Sequence, residues 1–137
     1  MFKSHKIIID TNLWISFLLT KKFDFIDDIL EKKNVRLVFS EELLLEFIEV
    51  AKRPKFRKFF TIDDLKNLLQ IIEQYSVYTL VTSKVSICRD EKDNFLLSLA
   101  KDSNADYLIT GDKDLLVLGK FEQTNILTIT EFQLLQK

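Results

Sequence analysis

The sequence has one cysteine, one histidine, one proline and two glycines among its 137 residues. A single cysteine excludes an intramolecular disulfide. With only one histidine as well, the chain cannot form a Cys/His zinc site, a histidine pair or a Cys–His catalytic pair. Because glycine and proline are so scarce, no stretch is typical of a linker, and we expect residues 1–137 to form a single domain. Any chemistry must use carboxylates, hydroxyls, amides, lysine and arginine.

Long apolar runs and an excess of charge are also missing. The sequence contains no run of about 20 apolar residues, which is the length that a membrane-spanning helix needs. The residues before Asp10 do not have the pattern of a secretory signal. Twenty basic residues balance 21 acidic ones, for a net charge of −1 at pH 7, so the overall charge does not indicate a nucleic-acid partner. With no disulfide and no signal, we expect a cytoplasmic protein without membrane contact.

Short apolar runs alternate with helical patterns along the chain. Strands are predicted at residues 6–10, 35–39, 77–81, 105–110 and 126–129. Asn12 and Ser40 are predicted to cap the helices that follow the first two strands. Strands separated by helices form a mostly parallel sheet that is covered on both faces. We therefore expect an α/β fold, a three-layer αβα sandwich with a central five-stranded sheet.

Four acids stand where such a sheet binds its ligands, outside the carboxyl ends of the strands. Asp10 ends the first predicted strand, and Asp112 follows the fourth by two residues. Glu46 interrupts an apolar stretch of the helix after the second strand, and Asp93 begins the helix after the third. Each acid alone has a structural interpretation, as a helix cap or a solvated side chain.

Together the four acids favour a metal site. Two carboxylates about 5 Å apart repel by about 3 kcal/mol at an effective dielectric constant near 20. Four in one pocket therefore need either protons or a cation. A ligand set made only of oxygen suits Mg²⁺ or Mn²⁺ and not zinc, and such a site supports metal-assisted hydrolysis of phosphodiesters.

Four motifs occur in order: Ile-Ile-Ile-Asp-Thr-Asn at 7–12, Ser-Glu-Glu-Leu-Leu-Leu-Glu at 40–46, Arg-Asp-Glu-Lys-Asp-Asn at 89–94 and Thr-Gly-Asp-Lys-Asp at 110–114. The chain resembles the PIN-domain family, and more narrowly its members that act as toxins of type II toxin–antitoxin systems. The resemblance extends from residue 7 to about residue 132. It implies a PIN-like αβα sandwich and an endoribonuclease dependent on Mg²⁺ or Mn²⁺. It also implies an antitoxin partner and a homodimer.

The resemblance assigns roles to individual residues. It implies that the catalytic, metal-binding acids are Asp10, Glu46, Asp93 and Asp112, and that the polar residues supporting them are Thr11, Asn12 and Thr110. Asp90 and Asp114 have two interpretations, since either could hold a water of the metal shell or orient Arg89 and Lys113. The implied reaction is attack by a metal-activated water on an RNA phosphodiester, which leaves a 5′-phosphate and a 3′-hydroxyl.

Two further features have more than one interpretation. Residues 52–58 contain five basic side chains: Lys52, Arg53, Lys55, Arg57 and Lys58. They form either a contact with the RNA backbone or a solvated turn whose neighbours Phe59 and Phe60 enter the core. Trp14 and Phe17 form either part of the core or a surface for a protein partner.

Two other functions remain open from the residues. One is a catalytically inactive RNA- or protein-binding module that keeps the acids. The other is a phosphatase that forms an aspartyl phosphate on Asp10. Such phosphatases have a second Asp two residues later, where this sequence has Asn12, which argues against that function.

Overall fold

The computed structural model describes residues 5–32 and 34–135. The strands are β1 (His5–Ile9), β2 (Val35–Phe39), β3 (Ser76–Tyr78), β4 (Tyr107–Ile109), β5 (Lys120–Phe121) and β6 (Thr124–Leu127). The helices are α1 (Thr11–Thr20), α2 (Asp24–Glu31), α3 (Glu41–Ala51), α4 (Ile62–Tyr75), α5 (Glu91–Ser103), α6 (Lys113–Leu116) and α7 (Ile129–Leu135). None of these helices combines the length and the apolar character needed to cross a membrane.

All strands but one are parallel, in the order β3-β2-β1-β4-β6-β5. The central strand β1 pairs with β2 on one side and β4 on the other. Ile7, Ile8 and Ile9 are all buried, although they point alternately to the two faces of the sheet. Helices therefore cover both faces, which explains the unbroken apolar run and confirms the mostly parallel αβα sandwich.

The prediction of five strands is wrong by one, because the sheet has six. The additional strand is β5, whose two residues pair with β6 in the antiparallel direction. Gly119 before it and Glu122 after it both have left-handed backbone angles, with φ of 67° and 51°. A strand of two residues is too short to show an alternating pattern, so the sequence offered no signal for it.

Helices α1 and α3 each begin after a single residue that follows a strand. Asp10, and not the predicted Asn12, caps α1, because Asp10 Oδ1 accepts a hydrogen bond from the Asn12 backbone N–H at 3.3 Å. Ser40 caps α3 as predicted, with its Oγ accepting from the Leu43 N–H at 3.1 Å. The chain thus turns sharply at the carboxyl ends of β1 and β2, which fixes the carboxylate of Asp10 at that edge.

Trp14 and Phe17 belong to the core. Both side chains are buried, with Trp14 only 1% exposed. The Trp14 ring lies 5.8 Å from Phe17, 5.7 Å from Phe39 and 6.3 Å from Phe47, measured between ring centroids. This aromatic cluster joins α1, β2 and α3, so the interpretation of these residues as a partner surface is wrong.

Replacing the centre of this cluster should be costly. We expect Trp14→Ala to lower the free energy of unfolding by about 3–5 kcal/mol, because it removes buried apolar surface and leaves a cavity. Urea denaturation measures the loss. Leu45→Ala in α3, where the side chain is 57% exposed, is the control and should cost less than about 1 kcal/mol. Equal losses for the two variants would contradict the packing described here.

Candidate metal centre

The four predicted acids line one cavity at the carboxyl edge of the sheet. The cavity has a volume of about 180 Å³. Asp10 reaches it from the end of β1, Glu46 from α3, Asp93 from the first turn of α5 and Asp112 from the residues between β4 and α6. Asp90, Thr11 and Asn12 line the same cavity. Residues separated by up to about a hundred positions in sequence are therefore neighbours in space.

Three of the acids in this region are helix caps. Asp10 caps α1, Asp90 accepts from the Lys92 N–H at 2.9 Å as the cap of α5, and Asp112 accepts from the Asp114 N–H at 2.8 Å as the cap of α6. Helix N-termini carry a partial positive charge that stabilises carboxylates. The capping role that each acid could have alone thus coexists with their assembly in one cavity.

Thr110 connects two of these acids. Its hydroxyl donates a hydrogen bond to Asp10 Oδ2 at 2.7 Å and accepts one from the Asp112 backbone N–H at 3.0 Å. Burial raises the pKa of Asp10, and the hydrogen bond from Thr110 partly offsets that increase. The predicted supporting residue therefore sets the relative positions of Asp10 and Asp112.

Asp93 is the most perturbed acid of the centre. Its residue is 4% exposed. Burial, followed by the charges of Asp112 and Asp90, raises its pKa to about 6. Its Oδ2 atom is buried and receives no hydrogen bond from any residue that the structure describes. Such an oxygen favours either a proton or a cation.

The neighbours of Asp93 are suited to a cation. Carboxylate oxygens of Asp93, Asp112 and Asp114 all lie within 4.8 Å of one another. Carboxylate oxygens are the ligands that a hard divalent cation prefers. The donor-free oxygen of Asp93 and this cluster together fit a bound Mg²⁺ or Mn²⁺ ion.

Two acids of the region already have cationic partners. Lys92 Nζ lies 4.0 Å from Glu46 Oε1, and this charge opposes the increase in the pKa of Glu46 that burial causes. Arg89 Nη2 lies 3.1 Å from both carboxylate oxygens of Asp114. Asp114 therefore contacts Arg89, which is one of the two roles predicted for it. An Asp114 oxygen also lies within the acidic cluster, as the other role, near the metal shell, requires.

Asn94 is a residue of this region that the sequence analysis missed. Its Oδ1 accepts hydrogen bonds from the backbone N–H groups of Ile87 at 3.1 Å and Cys88 at 2.7 Å. Its Nδ2 donates to the Cys88 carbonyl at 3.0 Å. Asn94 thus anchors the segment that ends in Arg89 and Asp90 beside the cavity.

The same segment is anchored at two more points along α5. Ser98 Oγ accepts from the Val85 N–H at 3.0 Å, and Asp102 Oδ2 accepts from the Ser83 N–H at 2.8 Å. Asn94, Ser98 and Asp102 follow one another at intervals of four residues, so they share one face of the helix. This row of polar residues at four-residue spacing is the signal by which the sequence could have revealed them.

The five basic residues of segment 52–58 do not all line one cleft. Arg53 lines the acidic cavity, whereas Lys52 and Arg57 line a different cleft. Lys55 Nζ lies 5.1 Å from the centroid of the Phe56 ring, and Lys58 Nζ lies 5.5 Å from that of Phe59.

The two phenylalanines after this segment differ. Phe60 enters the core as predicted, but the prediction is wrong for Phe59, which is 46% exposed. Phe59 lies in the turn between the 3₁₀ helix Pro54–Phe56 and α4, and there its ring contacts Lys58.

Comparisons with known proteins give the family of the chain. A family profile described as "PIN domain" matches residues 6–114, a range that includes all four predicted acids. A protein of Methanocaldococcus jannaschii, described as "Uncharacterized protein MJ1680", is 34% identical over 119 residues. That alignment covers 82% of this chain and 74% of the relative. The chain belongs to the PIN-domain family.

Proposed function

We propose that this protein is an endoribonuclease that depends on Mg²⁺ or Mn²⁺ and hydrolyses phosphodiester bonds of RNA. PIN domains are generally nucleases, so family membership supports a hydrolase. The observation that carries the more specific proposal is the buried, donor-free Oδ2 of Asp93 beside the oxygens of Asp112 and Asp114. A buried acid of this kind is stabilised by a divalent cation.

The proposed metal ligands are Asp93 and Asp112 of this cluster, together with Asp10, which lines the same cavity and is connected to Asp112 through Thr110. Among the described residues, none of these three forms an ion pair, whereas Glu46 contacts Lys92 and Asp114 contacts Arg89. Since every candidate ligand atom is a carboxylate oxygen, the centre suits Mg²⁺ or Mn²⁺. A bound cation would activate water and neutralise charge on the phosphoryl oxygens.

Other residues of the chain position these ligands and the water. Thr110 holds the carboxylate of Asp10, and the first turn of α6 holds that of Asp112. Burial raises the pKa of Glu46, which makes it a better proton acceptor than a solvated glutamate. We assign Glu46 the role of orienting the attacking water. Lys92 leaves Glu46 able to do so, because the distance from Lys92 Nζ to Glu46 Oε1 is long for an ion pair, at 4.0 Å.

The biological role that we propose is that of a toxin in a type II toxin–antitoxin system. The four motifs of the sequence resemble those of PIN-domain toxins, and this resemblance implies a partner that inhibits the enzyme. The proposal therefore includes an antitoxin protein, a homodimer and a cytoplasmic location.

Cleavage of RNA tests the proposed reaction. We expect the purified protein to cut single-stranded RNA in Mn²⁺ or Mg²⁺, to stop in EDTA and to leave 5′-phosphate ends, because no 2′-hydroxyl attack is involved. Asp112→Asn should reduce the rate by at least about a hundredfold while the circular dichroism spectrum stays unchanged. Binding of RNA without cleavage under these conditions would instead indicate the inactive binding module.

The stability of the metal-free protein tests the electrostatics of Asp93. The pKa of Asp93, about 6, lies above the ordinary 3.8, so the folded protein favours the protonated carboxyl group. The free energy of unfolding that this group contributes is fully present below pH 4 and is lost as the pH rises through 6. Asp93→Asn avoids this loss and should raise the free energy of unfolding at pH 7 by up to about 3 kcal/mol.

Chemical denaturation in EDTA at pH 7 and pH 4 measures this effect. The gain should be present at pH 7 and absent at pH 4, where the carboxyl group of Asp93 is already protonated. Asp28→Asn, at an exposed position of α2, is the matched control and should change stability by less than about 0.5 kcal/mol. A loss of stability for Asp93→Asn at both pH values would mean that its carboxylate stabilises the fold.

A further inference from the structure

One face of α3 forms a wall of the acidic cavity. Leu43, Glu46, Val50 and Arg53 all line the cavity, and their spacing of three or four residues places them on one side of a helix. The helix proper ends at Ala51, but the Arg53 N–H still donates to the Val50 carbonyl at 3.1 Å. The wall therefore continues from Glu46 to Arg53, a rise of about 10 Å along the axis.

Arg53 differs from the other cation in this cavity. Lys92 also lines it, but the lysine contacts Glu46. The guanidinium of Arg53 forms no ion pair and no hydrogen bond with any of the residues 5–32 and 34–135, although five carboxylate side chains line the same cavity. The end of α3 thus places an exposed, unpaired arginine beside the acids without contact with any of them.

The chemistry of this position favours a phosphate ligand. The planar guanidinium donates two parallel hydrogen bonds that match phosphate oxygens. A phosphodiester chain that enters the acidic cavity would bring a second phosphate along the wall of α3 towards Arg53. The remaining basic residues of segment 52–58 line another cleft or lie over phenylalanine rings, so Arg53 is the member of that segment that lines the cavity.

We propose that Arg53 binds a backbone phosphate of single-stranded RNA next to the phosphate that is cleaved. This inference rests on the proposed ribonuclease function, because it takes the scissile phosphate to lie at the acidic cluster. Arg53 contacts substrate and not the metal ion, so its loss should weaken RNA binding while the affinity for Mn²⁺ remains.

RNA binding tests the proposal without cleavage. The probe is a fluorescein-labelled, mixed-sequence RNA of about 12 nucleotides, measured by anisotropy with Mg²⁺ on an Asp10→Asn background. We expect Arg53→Ala to weaken binding about tenfold and to reduce the slope of log affinity against log salt by about one. Arg53→Lys keeps the charge and should lose less RNA affinity than Arg53→Ala. The lysine variant also keeps the test informative if the alanine variant folds poorly.

Arg36→Ala is the matched control. Arg36 is exposed on β2 and lies beside Lys6 in the sheet register, towards the edge opposite the cavity. Its removal changes the net charge by the same amount, and we expect binding within about twofold and an unchanged salt slope. Equal effects of Arg53→Ala and Arg36→Ala on affinity and slope would overturn the proposal.

The two proposals can fail separately. Cleavage by Arg53→Ala with an unchanged KM and unchanged RNA affinity would overturn the phosphate contact and leave the ribonuclease function in place. RNA binding that depends on Arg53, in a protein that cuts no RNA with Mn²⁺, would support the phosphate contact and contradict the ribonuclease function.

Discussion

Repulsion between carboxylates at one edge of the sheet is the constraint that the rest of this structure has to satisfy. Helix N-termini stabilise Asp10 and Asp112, and the Thr110 hydroxyl binds Asp10. Asp93 also lies in the first turn of a helix, but its buried Oδ2 accepts no hydrogen bond from the described residues, and burial together with the charges of Asp112 and Asp90 raises its pKa to about 6. A divalent cation would offset this unfavourable electrostatic energy, so the feature that raises the pKa of Asp93 also favours the proposed chemistry.

The core keeps the acids together. The buried strand β1 ends directly before Asp10, and the aromatic cluster around Trp14 packs α1 against α3, which carries Glu46. The row of polar side chains that begins at Asn94 holds the segment before α5 in place. The positions of the acids therefore follow from apolar packing and from hydrogen bonds to the backbone.

Much of this arrangement could be predicted from the sequence, because buried parallel strands leave unbroken apolar runs. Residues 35–39 form a strand with the predicted bounds, and the acids at the strand ends share one cavity. The two-residue strand β5 is too short for a pattern, and both Asp10 and Asn12 are good capping residues, so only the exact end of β1 decides between them. Which cation contacts Asp114 depends on side-chain conformations that no periodicity encodes.

We propose that Asp10, Asp93 and Asp112, which are far apart in the sequence, share one divalent cation. Crystals grown with Mn²⁺ test it most directly, because the anomalous scattering of manganese locates the ion independently of the protein density. We expect an anomalous peak between Asp10, Asp93 and Asp112, with carboxylate oxygens at about 2.0–2.2 Å, as is usual for small divalent cations. A cavity without a peak at millimolar Mn²⁺, or a peak bound only by residues elsewhere, would contradict it.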